Sequence, residues 1–475
     1  MTEAVQPVLR KYQLDAKKAV RDLFVGGKRS PLLVMPTGAG KTIWFADVVA
    51  GSQRLGKRVL VLAHRQELLA QIGNALKLYG CKHGFVTAKR KHDHLTNSVL
   101  IASVQTLVNR MDKIKWTPDL IIMDEAHHAT AGTWRKILEF YQGARTIGVT
   151  ATPERLDGKG LGVEAGGCFD SMTLGPSVSQ LVALNYLTPN RIWASSKKLD
   201  LSGVKKRGGD YAKGDLEEAV DKPAITGDAI AHYKEHASGQ RAIAFCVTVA
   251  HAEHTATAFR EAGISAESLD GKLSDIERQA RLARLRSGET LVITSCDLIS
   301  EGFDLPAATA AILLRPTASL SLYLQQVGRV LRPMPGKSHA LILDHVGNSL
   351  VHGLPEQDRE WTLEGRDKAA RKKTEAGLQA KQCANCFAVF KPMPACPMCG
   401  EPVKIGEREI VTEDGELREM TDQDRAAIKR AIKREEAEAV TLEDLEKLAH
   451  RRGYKPGWAA HRHAARQGRK SRWGR

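Results

Sequence analysis

Short apolar runs alternate along the chain with longer segments that have the apolar spacing of amphipathic helices. The runs lie at 32–35, 59–63, 99–102, 120–123, 146–149, 242–245, 291–293, 311–314 and 340–343. Fully apolar strands separated by helices are typical of a parallel sheet that is covered on both faces. Because the series restarts near residue 242 after a polar stretch, the pattern predicts two successive α/β domains.

The first apolar run leads into a glycine-rich turn and then a predicted helix. The turn comprises Met35, Pro36, Thr37, Gly38, Ala39, Gly40, Lys41 and Thr42. Such a phosphate loop directs backbone N–H groups and the positive end of a helix at the phosphates of ATP. Lys41 is expected to reach the β- and γ-phosphates, and the Thr42 hydroxyl to bind Mg²⁺. Met35 stands where the general pattern has glycine. An ordinary strand–turn–helix is the alternative, because Gly-Lys-Thr runs also arise by chance.

Two acidic residues, Asp124 and Glu125, follow the apolar run 120–123 and precede His127. Beside a phosphate loop, Asp124 is expected to orient Mg²⁺ through its water shell. Glu125 is expected to orient or deprotonate the attacking water. Acidic residues at a strand end also cap the following helix, which is the alternative interpretation. His127 is expected to couple the two domains by hydrogen bonds.

The second predicted domain contains the pattern Q-x-x-G-R-x-x-R, formed by Gln325, Gly328, Arg329 and Arg332. Placed about one helical turn apart, both arginines are expected to point across an interdomain cleft at the γ-phosphate. Arginine fingers accelerate phosphoryl transfer by factors on the order of 10³–10⁵. A solvated helix face is the alternative, and the flanking Gln325 and Gly328 argue against it. Together with the phosphate loop and the acidic strand end, this pattern predicts a motor ATPase.

The chain has 475 residues and a formal net charge of +16 at pH 7. This length is too great for one core and indicates two or three domains. The positive charge favours a nucleic-acid partner over a membrane. No apolar run approaches the roughly 18–20 residues that span a bilayer, and residues 1–13 lack the apolar core of a signal peptide. We therefore expect a soluble, intracellular protein.

The eight cysteines fall into two groups. One group is scattered and is expected to consist of buried thiols: Cys81, Cys168, Cys246 and Cys296. The other group forms two C-x-x-C pairs separated by nine residues: Cys383, Cys386, Cys396 and Cys399. This is the spacing of a zinc ribbon, in which four thiolates hold one tetrahedral Zn²⁺. Two disulfides are the alternative, which a reducing compartment disfavours.

Changes in composition predict five segments. They are an ATP-binding α/β domain at 1–175, a second α/β domain at 176–355, a basic linker at 356–381, a zinc ribbon at 382–402 and a helical basic tail at 403–475. The Gly-, Lys- and Asp-rich stretch from Asp200 to Lys222 is expected to be irregular and exposed. At the end of the tail, positive charge with Trp458 and Trp473 suits phosphate binding and base stacking. A solvated, disordered tail is the alternative.

Further motifs occur in order at 9–13, 63–68, 103–106, 150–153, 293–304, 312–317 and 321–329. With the phosphate loop and the acidic strand end, they make the chain resemble superfamily 2 helicases and translocases of the DEAH type. The resemblance is greatest to the RadD-like group of bacterial and phage proteins, and it covers about residues 5–350. The chain departs from that group at Met35, at Ser295 where threonine is common, and in having a single four-cysteine cluster.

The resemblance implies two tandem RecA-like domains that hydrolyse ATP in response to nucleic acid. It assigns the adenine site to Arg10 and Gln13, and further ATP contacts to Gly302 and Asp304. The nucleic-acid contacts that it implies, to the phosphate backbone and independent of base sequence, involve Arg65, Gln105 and Thr106.

The resemblance further implies action on DNA rather than RNA, in repair or recombination, in the cytoplasm of a bacterial or phage-infected cell. Single-strand-binding or recombination proteins are the expected protein partners. One alternative is the motor subunit of a restriction system, which would need a nuclease partner because no P-D-x-E-x-K cluster is evident. The other is an ATP-gated nucleic-acid clamp that never separates strands.

Overall fold

The computed structural model of the chain contains two compact units, Met1–Lys404 and Ile405–Arg475. The residues that it describes are 6–88, 97–129, 132–155, 159–195, 199, 201, 203–207, 210–296, 307–364, 380–403, 434–452, 457–460 and 462–464. None of the described helices combines the length and the apolarity needed to cross a bilayer.

Seven parallel strands form the first sheet. They are β1 (Pro31–Val34), β2 (Val59–Ala63), β3 (Gly84–Val86), β4 (Val99–Ser103), β5 (Leu120–Asp124), β6 (Arg145–Thr150) and β7 (Ser171–Leu174). Across the sheet they follow the order β3-β4-β2-β5-β6-β1-β7. Strands β1 and β2 are buried along their whole length, which fits a sheet that is covered on both faces.

Helices cover both faces of this sheet. They are α1 (Lys11–Val25), α2 (Lys41–Arg54), α3 (Gln66–Leu78), α4 (Val104–Leu107) and α5 (Gly132–Phe140). Side chains of a strand alternate between the two faces, and accordingly Leu33 and Leu32 belong to two different apolar clusters. Trp44 of α2 packs in the cluster of Leu33, and Trp134 of α5 packs in the cluster of Leu32.

The remaining strands are β8 (Asn190–Ala194), β9 (Lys206–Arg207), β10 (Asp210–Tyr211), β11 (Ala242–Phe245), β12 (Ala266–Leu269), β13 (Val292–Ser295), β14 (Ala310–Leu313), β15 (Ala340–Asp344), β16 (Lys381–Gln382) and β17 (Ala388–Phe390). Strands β9 and β10 pair with each other, and the other eight form the second sheet in the order β12-β13-β11-β14-β15-β8-β17-β16. The pairings from β12 to β8 are all parallel. The two sheets confirm the predicted pair of RecA-like α/β domains.

The helices of the second half are α6 (Val178–Ala183), α7 (Lys213–Val220), α8 (Pro223–His236), α9 (Val249–Glu261), α10 (Asp275–Ser287), α11 (Leu320–Gly328) and α12 (Asn348–His352). The apolar run 242–245 coincides with β11, and the run 340–343 lies within β15. These two apolar runs of the sequence therefore form strands of the second sheet, as the pattern predicted.

Where the structure describes the stretch from Asp200 to Lys222, the prediction of irregular backbone is wrong, and the predicted exposure holds for only part of the residues. It contains the short antiparallel pair β9–β10 and the helix α7. Leu216 and Val220 of α7 are buried in a small apolar cluster, which Tyr211 of β10 also joins. Few apolar residues are needed here, because the cluster is completed by Val247 and other residues of the second domain.

The predicted zinc ribbon is built into the second sheet. Strand β17 pairs antiparallel with β8, and β16 pairs antiparallel with β17. The side-chain amide of Gln382 donates a hydrogen bond of 2.7 Å to the carbonyl of Ala194. Trp193 of β8 packs against both the second domain and the cysteine cluster. The ribbon therefore extends the second sheet by two strands.

The second unit contains the helix α13 (Leu442–Arg452). Thr441 and Asp444 cap its start, since each side chain accepts a hydrogen bond from the backbone N–H of the other. Leu445 and Leu448 are buried, which agrees with the predicted helical character of this segment. Most of the basic tail, including Trp473, lies outside the described residues.

Candidate active site

The loop between β1 and α2 has the backbone geometry of a phosphate loop. Gly38 and Gly40 have φ values of 87° and 77°, in the left-handed region that favours glycine. A Cβ atom on Gly38 would lie 2.8 Å from Leu187 Cδ2, and one on Gly40 would lie 2.7 Å from Gln13 Nε2. The backbone conformation therefore favours glycine at both positions, a Cβ atom there would require the Leu187 or Gln13 side chain to shift, and α2 begins directly behind them at Lys41.

Met35 occupies a core position beneath the loop. Its side chain is fully buried, and a Cβ atom on Gly175 would lie only 2.5 Å from its Cγ. The backbone N–H of Met35 donates to the carbonyl of Thr150 at 2.9 Å, while its own carbonyl accepts from Lys41 Nζ at 3.3 Å. The absence of glycine at this position is therefore compatible with the loop, because the larger side chain points into the core.

Four charged side chains, two from each domain, influence the pKa of Lys41. Burial lowers the pKa of Lys41, and the carboxylates of Glu125 and Asp124 oppose that shift. The guanidinium groups of Arg329 and Arg332 lower the pKa further. The pKa of Lys41 is therefore set by burial together with acidic residues of the first domain and arginines of the second.

The acidic strand end is buried and conformationally strained. Asp124 and Glu125 are 4% and 7% exposed. Glu125 has φ 47° and ψ 53°, a left-handed conformation that is uncommon outside glycine and that clusters at functional sites. Among the described residues, the buried Oε2 atom of Glu125 has no hydrogen-bond partner. Such an oxygen is suited to hold a water molecule.

A chain of hydrogen bonds leads from His127, beside this strand end, to α11. His127 Nδ1 lies 3.5 Å from Glu125 Oε2 and 3.1 Å from Thr150 Oγ1. The Thr150 hydroxyl donates to the carbonyl of Thr152 at 3.0 Å, so His127 Nδ1 must be the donor to Thr150. The Thr152 hydroxyl in turn donates to Ser321 Oγ at 2.6 Å. The first domain is thereby joined to the helix that precedes the arginines.

The carboxyl end of α11 lies against the phosphate loop. A Cβ atom on Gly328 would lie 2.6 Å from Thr37 Cβ, and Arg332 Cγ lies 3.7 Å from the Cβ position of Gly38. The helical spacing expected for Arg329 and Arg332 does not hold as such, because α11 ends at Gly328. The chain instead turns there, and both arginines approach the loop from beyond the helix.

A half-buried lysine that sequence reasoning missed supports this turn. Lys337 Nζ donates to the carbonyls of Arg332 at 2.9 Å, Ala308 at 3.2 Å and Val330. Burial, with Arg332 nearby, lowers the pKa of Lys337 to about 8. Burial also lowers the pKa of Arg332 to about 10. In sequence, Lys337 has no feature that separates it from an exposed lysine, so sequence analysis could not select it.

Gln325, on α11 itself, is buried, with 2% of its surface exposed.

Of the two residues assigned to adenine binding, Gln13 contacts the phosphate loop directly and also bonds to Arg10. Gln13 Nε2 donates to the carbonyl of Ala39 at 3.2 Å, and Gln13 Oε1 accepts from the backbone N–H of Arg10 at 2.9 Å. Two tyrosines that sequence reasoning missed complete the group. Tyr12 donates to the carbonyl of Ala39 at 2.9 Å, and the Arg10 guanidinium lies 4.1 Å from the ring centre of Tyr186.

The residues assigned to nucleic-acid binding lie at the carboxyl ends of neighbouring strands of the first sheet. Arg65 follows β2, whereas Gln105 and Thr106 follow β4, and β2 and β4 are parallel neighbours. Ligands of parallel sheets bind at the carboxyl ends of the strands, where these residues lie. Gln105 is exposed, although its Oε1 accepts a hydrogen bond of 2.9 Å from Ser103.

Two assigned ATP contacts, Gly302 and Asp304, lie outside the described residues. Of the four scattered cysteines, Cys81 and Cys246 are buried as predicted, whereas Cys168 and Cys296 are only half-buried. Burial raises the pKa of Cys246 to about 12, which agrees with an unreactive thiol.

The four cysteines of the ribbon lie together, with their sulfur atoms all within 4.8 Å of one another. The Cys383–Cys399 and Cys386–Cys396 sulfur pairs are each separated by 3.6 Å. A disulfide requires about 2.05 Å, whereas tetrahedral Zn²⁺ with Zn–S bonds of about 2.3 Å separates its sulfurs by about 3.8 Å. The arrangement therefore fits a zinc centre with four thiolates.

The two C-x-x-C pairs have the same backbone geometry. The residue that follows each pair has a left-handed conformation, with φ 58° at Phe387 and φ 77° at Gly400. In each case its N–H donates to the carbonyl of the first cysteine, Cys383 or Cys396. The backbone N–H two residues after that cysteine donates to its sulfur at 3.4 Å. This repetition is the knuckle geometry that presents two thiolates to one metal.

Two protein-family models match the chain. The model described as "Type III restriction enzyme, res subunit" matches residues 6–155. The model described as "Helicase conserved C-terminal domain" matches residues 221–334. The first match contains the phosphate loop and the acidic strand end, and the second contains α11 and both arginines.

Among individual relatives, the 51.5 kDa protein of a Lactococcus phage is 36% identical over 380 residues, covering 79% of each chain. The candidate ATP-dependent helicase IRC3 of Saccharomyces cerevisiae is 30% identical over 364 residues, which are 73% of this chain and 52% of the yeast protein. The chain thus spans about half the length of that relative.

Among solved structures, a fragment of a candidate HsdR subunit of a type I restriction enzyme from Vibrio vulnificus superimposes with a TM-score of 0.56 at 23% identity, covering 75% of this chain and 68% of the fragment. The Type ISP restriction-modification enzyme LlaBIII, bound to DNA, gives a TM-score of 0.53 at 19% identity, covering 72% and 28% of the two chains. At this identity both show a common fold.

Two RecA-like sheets that meet at a phosphate loop define the class of two-domain, nucleotide-dependent motor proteins. Within that class, the chain belongs to the superfamily 2 ATP-dependent helicases and translocases, in one family with the Lactococcus phage protein.

Proposed function

We propose that this protein hydrolyses ATP in response to bound nucleic acid and converts closure of its interdomain cleft into movement along a DNA strand. The observation that carries the proposal is the contact between the phosphate loop and the end of α11. There Gly328 touches Thr37 and Arg332 lies beside Gly38, so a nucleotide on the loop would be in reach of groups from both domains.

Each group at this contact has a distinct role in the proposal. Lys41 neutralises the β- and γ-phosphates, and Thr42 and Asp124 hold Mg²⁺, directly and through water respectively. Glu125 orients or deprotonates the attacking water with its buried oxygen. Arg329, Arg332 and Gln325 act from the second domain on the charge that develops at the γ-phosphate. Adenine binding is assigned to Arg10 and Gln13.

The nucleic-acid track is proposed to follow the carboxyl edge of the first sheet, past Arg65, Gln105 and Thr106. Support comes from the net charge of +16, which favours a polyanionic ligand. DNA is proposed over RNA because the motifs resemble the RadD-like DEAH-type group, and because LlaBIII, a structural relative, was solved bound to DNA. Repair or recombination is the proposed setting, with single-strand-binding or recombination proteins as partners.

A second candidate function is the motor subunit of a restriction system. It is favoured by the match of residues 6–155 to the restriction-enzyme model and by the HsdR fragment among the structural relatives. In that case the motor would act with a separate nuclease and would move along duplex DNA without separating strands.

ATPase assays with single-stranded DNA, duplex DNA, forked DNA and RNA test the proposal, alongside strand-displacement and triplex-displacement assays. Stimulation by DNA together with unwinding of a fork is the expected result. Stimulation by duplex DNA with triplex displacement but no unwinding would favour the restriction-type motor. ATPase activity that no nucleic acid stimulates would contradict both functions.

A further inference from the structure

The β9–β10 pair carries a carboxylate that contacts the segment leading into α11. Asp210 of β10 accepts hydrogen bonds at Oδ1 from the backbone N–H of Ala318 at 2.8 Å and from the Thr317 hydroxyl at 3.0 Å. Its Oδ2 atom accepts from Arg315 Nη2 at 3.3 Å. The side chains of Asp210 and Arg315 are only 15% and 8% exposed, so water screens this pair weakly.

The contact reaches α11 through one more residue. The Thr317 hydroxyl donates to Asp210 and accepts from the backbone N–H of Ser319 at 2.9 Å. Ser319 is the N-cap of α11, and its hydroxyl accepts from the N–H of Leu322 at 3.2 Å. Asp210 therefore fixes the position at which the helix starts.

The opposite side of the same segment is held independently. Asn348 accepts from the backbone N–H of Thr317 at 3.0 Å and donates to the carbonyl of Arg315 at 2.9 Å. His352 Nε2 lies 2.8 Å from the carbonyl of Thr317. These bonds remain when Asp210 is changed, so the segment should keep its fold and lose only one of its two supports.

A small rotation at the start of α11 is amplified at its end. The helix has nine residues, so it is about 13 Å long, and a tilt of about 5° moves its carboxyl end by about 1 Å. Arg329 follows that end directly. A displacement of about 1 Å at a reacting centre can cost about 100-fold in rate.

We propose that Asp210 is a positioning residue for ATP hydrolysis, which sets the direction of α11 and thereby the place of Arg329 at the phosphate loop. The inference rests on the proposed function of Arg329. It also assigns a role to the segment between β8 and α8, which carries no motif of the family resemblance.

The test is steady-state ATPase activity of the full chain with saturating DNA for Asp210→Ala, Asp210→Asn and the control Glu218→Ala. Glu218 is exposed and lies on α7 in the same segment. We expect Asp210→Ala to lower kcat by about 10- to 100-fold with KM for ATP changed less than about two-fold. Asp210→Asn should lie between, because its amide oxygen still accepts from Thr317 and Ala318. Glu218→Ala should match the wild type.

A double variant separates positioning from general stability. If Asp210 acts through Arg329, then Asp210→Ala combined with Arg329→Ala should lose little beyond Arg329→Ala alone. Independent, multiplicative losses would overturn the inference, as would a normal kcat in Asp210→Ala or a lowered melting temperature that accounts for its inactivity. Normal turnover in Arg329→Ala alone would instead refute the proposed function of that arginine.

Discussion

The hydroxyl of Thr152, two residues after β6, donates a hydrogen bond of 2.6 Å to the hydroxyl of Ser321, in the first turn of α11. Both residues are buried, Thr152 completely. Their bond joins the domain that carries the phosphate loop to the helix that precedes the arginines. It also continues the chain that begins at His127, so a change at the acidic strand end is physically connected to the second domain.

Removing this bond should weaken the coupling between the domains. We expect Thr152→Val and Ser321→Ala each to lower DNA-stimulated turnover by about 2- to 10-fold, the effect of losing about one buried hydrogen bond. The double variant should be no worse than the more severe single variant, because both remove the same interaction. Turnover measured with and without DNA checks this. The exposed Ser338→Ala is the control, and fully additive losses would contradict the coupling.

Lys41→Ala and Glu125→Gln should both abolish hydrolysis for different reasons. Loss of Lys41 removes the charge that holds the β- and γ-phosphates, so ATP binding should also weaken. The Glu125→Gln variant should still bind ATP, because only the group that handles the attacking water is changed. Equilibrium binding of a fluorescent ATP analogue and phosphate release measure the two properties, with the exposed Glu139→Gln as control. Turnover within a few-fold of wild type in either variant would refute these roles.

Arg329→Ala and Arg332→Ala should lose turnover while nearly retaining nucleotide affinity, since an arginine finger acts chiefly in the transition state. A loss on the order of 10³-fold is expected for the residue that reaches the γ-phosphate. The exposed Arg286→Ala is the matched control. Kinetics combined with ATP-binding titrations check the split, and a variant that unfolds or hydrolyses ATP normally would exclude that arginine.

Gly328→Ala should act as a wedge between the domains. The added methyl group would lie 2.6 Å from Thr37 Cβ, so either α11 or the phosphate loop must move. We expect kcat to fall by about 10-fold or more with little change in the free energy of unfolding of either domain. Gly227→Ala is the control, because a Cβ there meets nothing within 4 Å. Equal activity of the two variants would show that the domains are not in contact at Gly328 during turnover.

The cysteine cluster should hold one zinc per chain, and that zinc should be structural. Four thiolates complete its coordination and leave no position for a substrate. Elemental analysis of the purified protein should give one zinc, and Cys383→Ser combined with Cys396→Ser should remove it, whereas Cys168→Ser should not. Zinc that survives the double change, or its absence from the wild type, would contradict the assignment.

The sequence predicted those elements whose signal is local. The strand at 242–245 and the glycine turn at Gly38 and Gly40 follow from apolar runs and from backbone freedom, and both appear where expected. The stretch from Asp200 to Lys222 was misjudged, because Asp210 finds its partners 105 to 108 residues away. A polar residue with a distant partner has the same local pattern as a solvated one.

Contacts between residues distant in sequence also explain what the sequence analysis missed at the candidate site. The spacing of Arg329 and Arg332 suggested one helix, but α11 ends at Gly328, where the chain turns beside the phosphate loop. Tyr186 lies in the connection between the sheets, and only the folded chain brings it to Arg10. Contacts of this kind leave no periodicity in the sequence.

The outer edge of strand β8 is covered by strand β17 of the four-cysteine ribbon. Without β17, the outer edge of β8 would present unpaired backbone N–H and C=O groups, which can template pairing with another chain. Zinc binding in knuckles of this kind is coupled to their folding. Loss of zinc would therefore expose the edge of β8 to pairing with a second molecule. Chelation during purification should cause concentration-dependent self-association at chelator levels that leave ATP binding intact.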